Sequence, residues 1–203
     1  MTSRKPIIGI VGGIGSGKSR VAEAFAAHAG HVIAGDPLGH EALRQPDTLK
    51  LVANRWGRDI LDEEGQVVRR RLGEIVFNDD DERAELQKIV YPYIERRVKE
   101  EIAAAQVMPA IAFTILDAAV MLEAGWNNIC DSLVYVDVPR AERLRRLQSQ
   151  RAWTADELTR REAAQWPVER KKALADWVID NSGSVEQMEI QVALIVDQLK
   201  KSP

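Results

Sequence analysis

The stretch Gly12-Gly13-Ile14-Gly15-Ser16-Gly17-Lys18-Ser19 carries the most explicit chemistry in this sequence. It reads G-x-x-x-x-G-K-[ST], a spacing in which the glycines let backbone N–H groups turn toward an anion. Lys18 at that place can reach β- and γ-phosphates, Ser19 can ligate Mg²⁺, and the N-terminus of the following helix adds a favourable dipole. The bare pattern arises by chance in roughly one chain in a hundred of this length. Here it also follows a β-rich apolar run, Ile7 to Val11, and precedes an alanine-rich helical stretch from about Lys18 to Ala29. The dinucleotide fingerprint G-x-G-x-x-G fails, because the glycines fall at 13, 15 and 17. Gly13, Ile14, Gly15, Ser16, Gly17, Lys18 and Ser19 therefore point to a mononucleotide triphosphate site.

Phosphoryl transfer needs positioning, charge neutralisation and a group that takes the proton of the attacking hydroxyl. Asp36, just past a second strand-like run (His31 to Ala34), sits on the same carboxyl edge as the phosphate loop in a parallel sheet. It can act as that base, or as a helix N-cap before Pro37. Asp117 ends a third run and can hold Mg²⁺ directly or through water, or again cap a helix. Asp137, before Pro139, reads as structural. From Arg140 to Lys172 ten basic residues face five acidic ones, a local net of +5 that leaves −8 for the rest of the chain. A basic helical hairpin there could fold over a triphosphate; a solvated amphipathic helix pair would have the same composition.

These groups need a scaffold. The runs Ile7 to Val11, His31 to Ala34, Ala110 to Leu116, Leu133 to Val138 and Trp177 to Ile179 do not alternate cleanly, as expected of strands covered on both faces. Helical segments separate them, which predicts an α/β fold: the doubly wound parallel sheet of the phosphate-loop NTPases. Residues 40–107 hold too much chain for one crossover. They read as a helical insertion, with helices opening near Asp47, surrounding Arg70 to Phe77, and running from about Asp80 with an interruption near Pro92. Thr154 to Glu157 and Ser184 to Gln187 match the capping box. The division expected is a core of residues 1–39, 108–139 and 173–203, a substrate-side domain of 40–107, and a lid of 140–172.

Composition narrows the classes further. With 203 residues, 45% hydrophobic and 29% charged, the chain is globular rather than disordered. A single cysteine, Cys130, excludes a disulfide framework or a cysteine-based zinc cluster and fits a reducing, cytoplasmic setting. Net charge −3 argues against a bulk polyanion binder, so no nucleic-acid partner is expected. The longest apolar stretch, Pro109 to Leu122, contains Asp117 and is too short to span a bilayer, and Met1 to Pro6 lacks a cleavage pattern. A GTPase switch is disfavoured: Asp36-Pro37-Leu38-Gly39 and Asp62-Glu63-Glu64-Gly65 do not end a third strand, and no N-K-x-D string occurs.

The phosphate loop, Asp36 after Val32-Ile33, and the Asp117 to Glu123 segment resemble the dephospho-CoA kinase family. So do Arg69 through Val76-Phe77, the Gln165-Trp166-Pro167 turn and Ala175-Asp176-Trp177-Val178-Ile179-Asp180-Asn181-Ser182-Gly183. The resemblance runs from about residue 7 to 195. It implies transfer of the ATP γ-phosphate, with Mg²⁺, to the ribose 3′-hydroxyl of dephospho-CoA, the last step of coenzyme A synthesis. It also implies Asp36 as base with Lys18, Arg146 and Arg151 as catalytic cations, and Arg143, Gln165 and Asn181 as nucleotide contacts. Ser19 and Asp117 would hold the metal, and His40, Arg69, Phe77, Tyr91, Asp117 and Glu123 would face the acceptor. A monomer or weak homo-oligomer is expected. Some positions depart from the family pattern: Ala34 replaces an aspartate, His40 an arginine, Val68 an acidic residue, Tyr91 a histidine, and Ala119 to Glu123 a Pro-Leu-Leu-Phe-Glu segment. A nucleoside or nucleotide kinase of the same fold, and a non-enzymatic ATP-binding regulator, are the rival readings.

Overall fold

A computed structural model describes residues 4–201; residues 1–3, part of the amino-terminal stretch read above, and 202–203 lie outside it. Five strands, β1 (Ile7–Gly12), β2 (Gly30–Ala34), β3 (Phe113–Asp117), β4 (Ser132–Asp137) and β5 (Trp177–Asp180), form one sheet. Their order is β2-β3-β1-β4-β5, and every pairing is parallel. All residues of β1 and β3 are buried, which is why these runs are continuously apolar rather than alternating. One face packs on α1 (Lys18–Ala26) and α9 (Val185–Lys201) through Ile8, Ile10, Val134, Phe25 and Val192. Phe25 and Phe113 meet edge to face at 6.2 Å.

The chain leaving β1 crosses to β2 at one edge of the sheet, whereas the chain leaving β3 crosses to β4 on the other side of β1. The carboxyl ends of β1 and β3 therefore bound the point where the winding reverses, the place such sheets use for ligands. Ala34 and Asp117 are register partners at that edge.

The chain divides into two compact units, Met1–Ala34 with Glu101–Pro203, and Gly35–Glu100. Both boundaries lie a few residues before those expected at 39/40 and 107/108. Helix α2 (Gly35–Ala42) begins directly at the end of β2. The last turns of α5 (Asp80–Val107) are tied to the chain entering β1, where Lys5 donates from its backbone N to Gln106 Oε1 (2.9 Å) and from Nζ to the Ala105 carbonyl (2.9 Å). Residues 140–172, expected as a separate lid, are part of the first unit as α6 (Arg140–Arg151), α7 (Ala155–Ala163) and α8 (Val168–Ala173).

The second unit is helical, with α2, α3 (Pro46–Trp56), α4 (Arg69–Val76) and α5 as far as Glu100. Its core is Val52, Ile60, Leu72 and Val76. Pro46 starts α3, and Gly57 ends it with φ 79°. The interruption expected near Pro92 is absent: α5 runs 28 residues through it. A proline forfeits one helical hydrogen bond, but the buried stripe Val90, Ile94 and Val98 holds both flanking turns in place. Asp62 to Gly65, one of the D-x-x-G strings, is the turn of a small antiparallel bridge between Leu61 and Val67, with Asp62 Oδ1 accepting from the Gln66 N–H at 2.7 Å.

Thr154 caps α7 as read, its Oγ1 accepting from the Glu157 N–H at 3.2 Å. Ser184 and Gln187 form the reciprocal box at the head of α9. The first box is incomplete, because Glu157 turns its carboxylate to Arg160 and Arg161 instead.

Candidate active site

The phosphate loop links β1 to α1. No acidic residue lies in the first turn of α1 and no side chain caps it, so the dipole at this helix end is left for an external anion. Gly17 takes φ 84°, and a Cβ there would stand 2.5 Å from Asn181 Nδ2. That amide donates to the Ser16 carbonyl at 2.8 Å, so the β5–α9 turn holds the loop from below. Asn181 is itself fixed, its N–H donating to the Asp137 carbonyl at 3.0 Å.

Gly13 makes room for a different neighbour. A Cβ on it would lie 2.8 Å from the guanidinium carbon of Arg143. Arg143 is only 4% exposed, and it donates to the Ile14 carbonyl (3.0 Å), the Val138 carbonyl (3.2 Å) and Glu162 Oε1 (2.7 Å). It thus straps the loop to the end of β4 and to α7. As a result the guanidinium read as a phosphate contact is bound to protein oxygens.

At the winding reversal, Ser19 Oγ donates to Asp117 Oδ2 at 2.7 Å. Asp117 is nearly buried, at 9% exposure. A hydroxyl and a carboxylate beside a phosphate loop are hard oxygen donors of the kind Mg²⁺ prefers. Among the described residues no group of three or more His, Cys, Asp or Glu forms a metal cluster.

The remaining candidates of the first unit are positioned as follows. Arg146 donates to Glu142 Oε1 (2.9 Å) and to the Asn181 carbonyl (2.7 Å), which brings it under the β5–α9 turn. Arg151 lies over the Trp153 ring at 5.4 Å, and Arg161 covers the same ring at 4.5 Å. Gln165 accepts from Lys171 Nζ at 2.9 Å. Glu123 accepts from the Trp166 N–H at 2.7 Å and pairs with Lys171 Nζ at 3.1 Å. A cavity of about 440 Å³ opens between the loop and the lid helices, lined by Gly13, Tyr135, Arg140, Arg143, Gln165 and Trp166. In the second unit, Asp36 lies in the first turn of α2 rather than at its cap and is exposed. His40 Nε2 meets Arg69 Nη1. Partial burial, then the Arg69 charge, lowers the imidazole pKa, while Asp36 pulls it back up. Phe77 ends α4, about half exposed, and Tyr91 lies within α5.

A family model for dephospho-CoA kinase matches residues 6–187. This chain belongs to the dephospho-CoA kinase family. It is 35% identical over 196 residues to the dephospho-CoA kinase of Thermobifida fusca, covering 96% of each chain. The structure is similar to that of TT1252 from Thermus thermophilus, with a TM-score of 0.81, 29% identity, and 99% and 100% of the two chains covered. It shares its fold with dephospho-CoA kinase from Campylobacter jejuni, at a TM-score of 0.70, 21% identity, and 96% and 97% coverage. The activity is accordingly that of an ATP-dependent kinase of dephospho-CoA, completing coenzyme A.

Two residues at this site escaped sequence reasoning. Glu162 joins Arg140 and Arg143, and Lys171 is buried against Glu123. Lys171 stands in the run Arg170-Lys171-Lys172, and nothing in the order of those three cations distinguishes the one that turns inward.

Proposed function

We propose that Asp36 takes the proton from the ribose 3′-hydroxyl of dephospho-CoA as that oxygen attacks the γ-phosphorus of ATP, with ADP leaving. The observation that carries this reading is where the chain leaves the sheet. β2 ends at Ala34, in register with Asp117, and Asp36 follows directly in the chain, its carboxylate accepting no hydrogen bond among the described residues. A base needs that availability.

The loop backbone from Gly13 to Ser19 cradles the β- and γ-phosphates, and Lys18 neutralises the charge that develops on the transferring group. Ser19 and Asp117 hold Mg²⁺, which supplies further neutralisation of phosphate charge when bound. Arg146, beside the Asn181 turn, faces the nucleotide. Arg151 lies over Trp153 with no carboxylate partner among the described residues, and it meets the phosphates when α6 and α7 close. Gln165 lines the cavity next to the loop. Arg143 serves the nucleotide indirectly, by holding the Ile14 carbonyl.

His40, Arg69, Phe77 and Tyr91 form the acceptor side. The lowered pKa leaves His40 neutral at pH 7, so Arg69 is the cation available there for a substrate phosphate. No helix among the described residues is long and apolar enough to cross a membrane, and we place the enzyme in the cytoplasm, acting as a monomer or weak homo-oligomer.

ADP release from ATP–Mg²⁺ and dephospho-CoA tests the assignment. Asp36→Asn should lower kcat about 10²–10⁴-fold with little change in thermal stability. Turnover retained in Asp36→Asn would remove it as the base.

A further inference from the structure

The phosphate loop opens with a tight turn whose middle peptide has two possible settings. The Ser16 N–H donates to the Gly13 carbonyl at 3.1 Å, closing a four-residue turn over Ile14 and Gly15. Gly15 takes φ 78°, whereas Ile14 is not among the residues of positive φ. That combination is a type II turn. A type I turn differs from it by a flip of the peptide between the two central residues. Because a trans peptide points its carbonyl and its N–H in opposite directions, the flip reverses the Ile14 carbonyl and the Gly15 N–H together.

Arg143 holds one of these settings. Its Nη1 donates to the Ile14 carbonyl (3.0 Å) and to Glu162 Oε1 (2.7 Å), and its Nε donates to the Val138 carbonyl (3.2 Å). α6 presses on the turn as well, since a Cβ on Gly15 would stand 3.0 Å from Leu147 and 3.1 Å from the Arg143 carbonyl. Turning the Ile14 carbonyl away would leave a buried guanidinium short of an acceptor. The guanidinium in turn needs a counter-charge to be buried at all, and Glu162 supplies it from α7. The second Glu162 oxygen accepts from Arg140 Nε at 2.9 Å, which fixes the carboxylate from its other side. We propose that Glu162 is a positioning residue: through Arg143 it holds the Gly13–Ser16 turn in the setting that presents the Gly15 N–H to the nucleotide phosphates.

This assignment rests on the reading of the loop as the triphosphate site. It gives a residue of α7 a part in nucleotide binding without contact between the two. A plain tie between α7 and the sheet would use the same bonds and contribute only stability. The two roles separate experimentally, because a positioning role runs through Arg143. Removing the Glu162 charge then changes ATP binding only while Arg143 is there to be misdirected.

Glu162→Gln, Arg143→Met and the double variant are compared with wild type in three measurements. These are ATP affinity by calorimetric titration, the ATP-induced shift of the Gly15 amide resonance in isotope-labelled protein, and thermal melting. Glu162→Gln should weaken ATP binding about tenfold and reduce the Gly15 shift, because a charge-assisted bond to phosphate is lost. In the Arg143→Met background the same substitution should change the affinity by less than about twofold. An affinity in Glu162→Gln within about twofold of wild type overturns the proposal, whatever the melting temperature does. So does an equal loss in both backgrounds, since Glu162 would then act on the nucleotide without Arg143. If Glu162→Gln does not fold, the double variant decides, because it removes the buried cation with its partner. Folded, with ATP bound at least about fivefold more weakly and a reduced Gly15 shift, it supports the role; folded with wild-type affinity, it ends it. A wild type that binds ATP without moving the Gly15 resonance overturns the loop reading too, whereas unchanged ATP binding in Glu162→Gln leaves that reading standing.

Discussion

The phosphate loop and the basic segment 140–172 both read from the sequence as places that hold phosphate, and the structure treats them differently. In the loop, the binding groups are backbone N–H donors and one helix end, with no acidic side chain in the first turn to compete. In the segment, nearly every cation already has a carboxylate. Arg145 and Arg146 share Glu142, Arg160 and Arg161 share Glu157, and Arg140 and Arg143 share Glu162. The first two sets follow from helix geometry, since residues three and four apart meet on one face. Net charge counts ions without regard to their neighbours, whereas a backbone conformation cannot be neutralised by one. The exposed ones among these pairs, such as Arg145–Glu142 and Arg160–Glu157, contribute little, whereas Arg143 is buried with Glu162. Under the proposed function, the cations of this segment must exchange partners before they meet phosphate.

That contrast can be broken most directly by removing one cation from each region. Lys18→Ala should lower kcat about 10²–10³-fold; Arg145→Ala, whose partner Glu142 lies on its own helix, should stay within about twofold. Comparable losses in the two would erase the distinction between preset and exchangeable cations. Next in size is Gly17→Ala. At φ 84° a side chain costs about 1–2 kcal/mol, and Asn181 Nδ2 blocks the new Cβ. The melting temperature should drop and ATP affinity fall with it, measured by thermal denaturation with and without nucleotide. If the nucleotide stabilises the variant as much as wild type, the loop tolerates a conformation that is not preset.

The smallest effect concerns acid. Two arginine hydrogen bonds, from Arg145 first and then Arg146, hold the Glu142 carboxyl at about 2, against its ordinary 4.5. A depressed carboxylate pKa favours the folded state above pH 4.5 and loses that contribution as pH falls toward 2. Glu142→Gln should therefore flatten the acid limb of the stability curve in that window and leave it unchanged near neutrality. An identical acid limb in both proteins would mean that the pair does not persist in solution.

Much of the scaffold was legible because strands covered on both faces leave unbroken apolar runs, and because glycine, proline and capping residues punctuate them. Thr154 and Ser184 sit where those rules put them. Pro92 shows the limit: its local preference is to interrupt a helix, and long-range packing of Val90, Ile94 and Val98 overrides it. The site divides in the same way. The meeting of Ser19 and Asp117 was legible because the ends of β1 and β3 bring the residues that follow them to one sheet edge. The bonds Arg143 makes were not legible, since only the approach of α6 to Gly13 turns its guanidinium onto the Ile14 carbonyl.

Residue order alone therefore specifies a triphosphate loop, its sheet and its carboxylates, because each depends on local backbone geometry and a short spacing. Which cations remain for the substrate, and which are held by Glu162, Glu142 or Glu123, depends on residues brought together from distant parts of the chain. Those pairings are set by burial and by the cost of leaving a charge unpaired, and only the packed chain decides them.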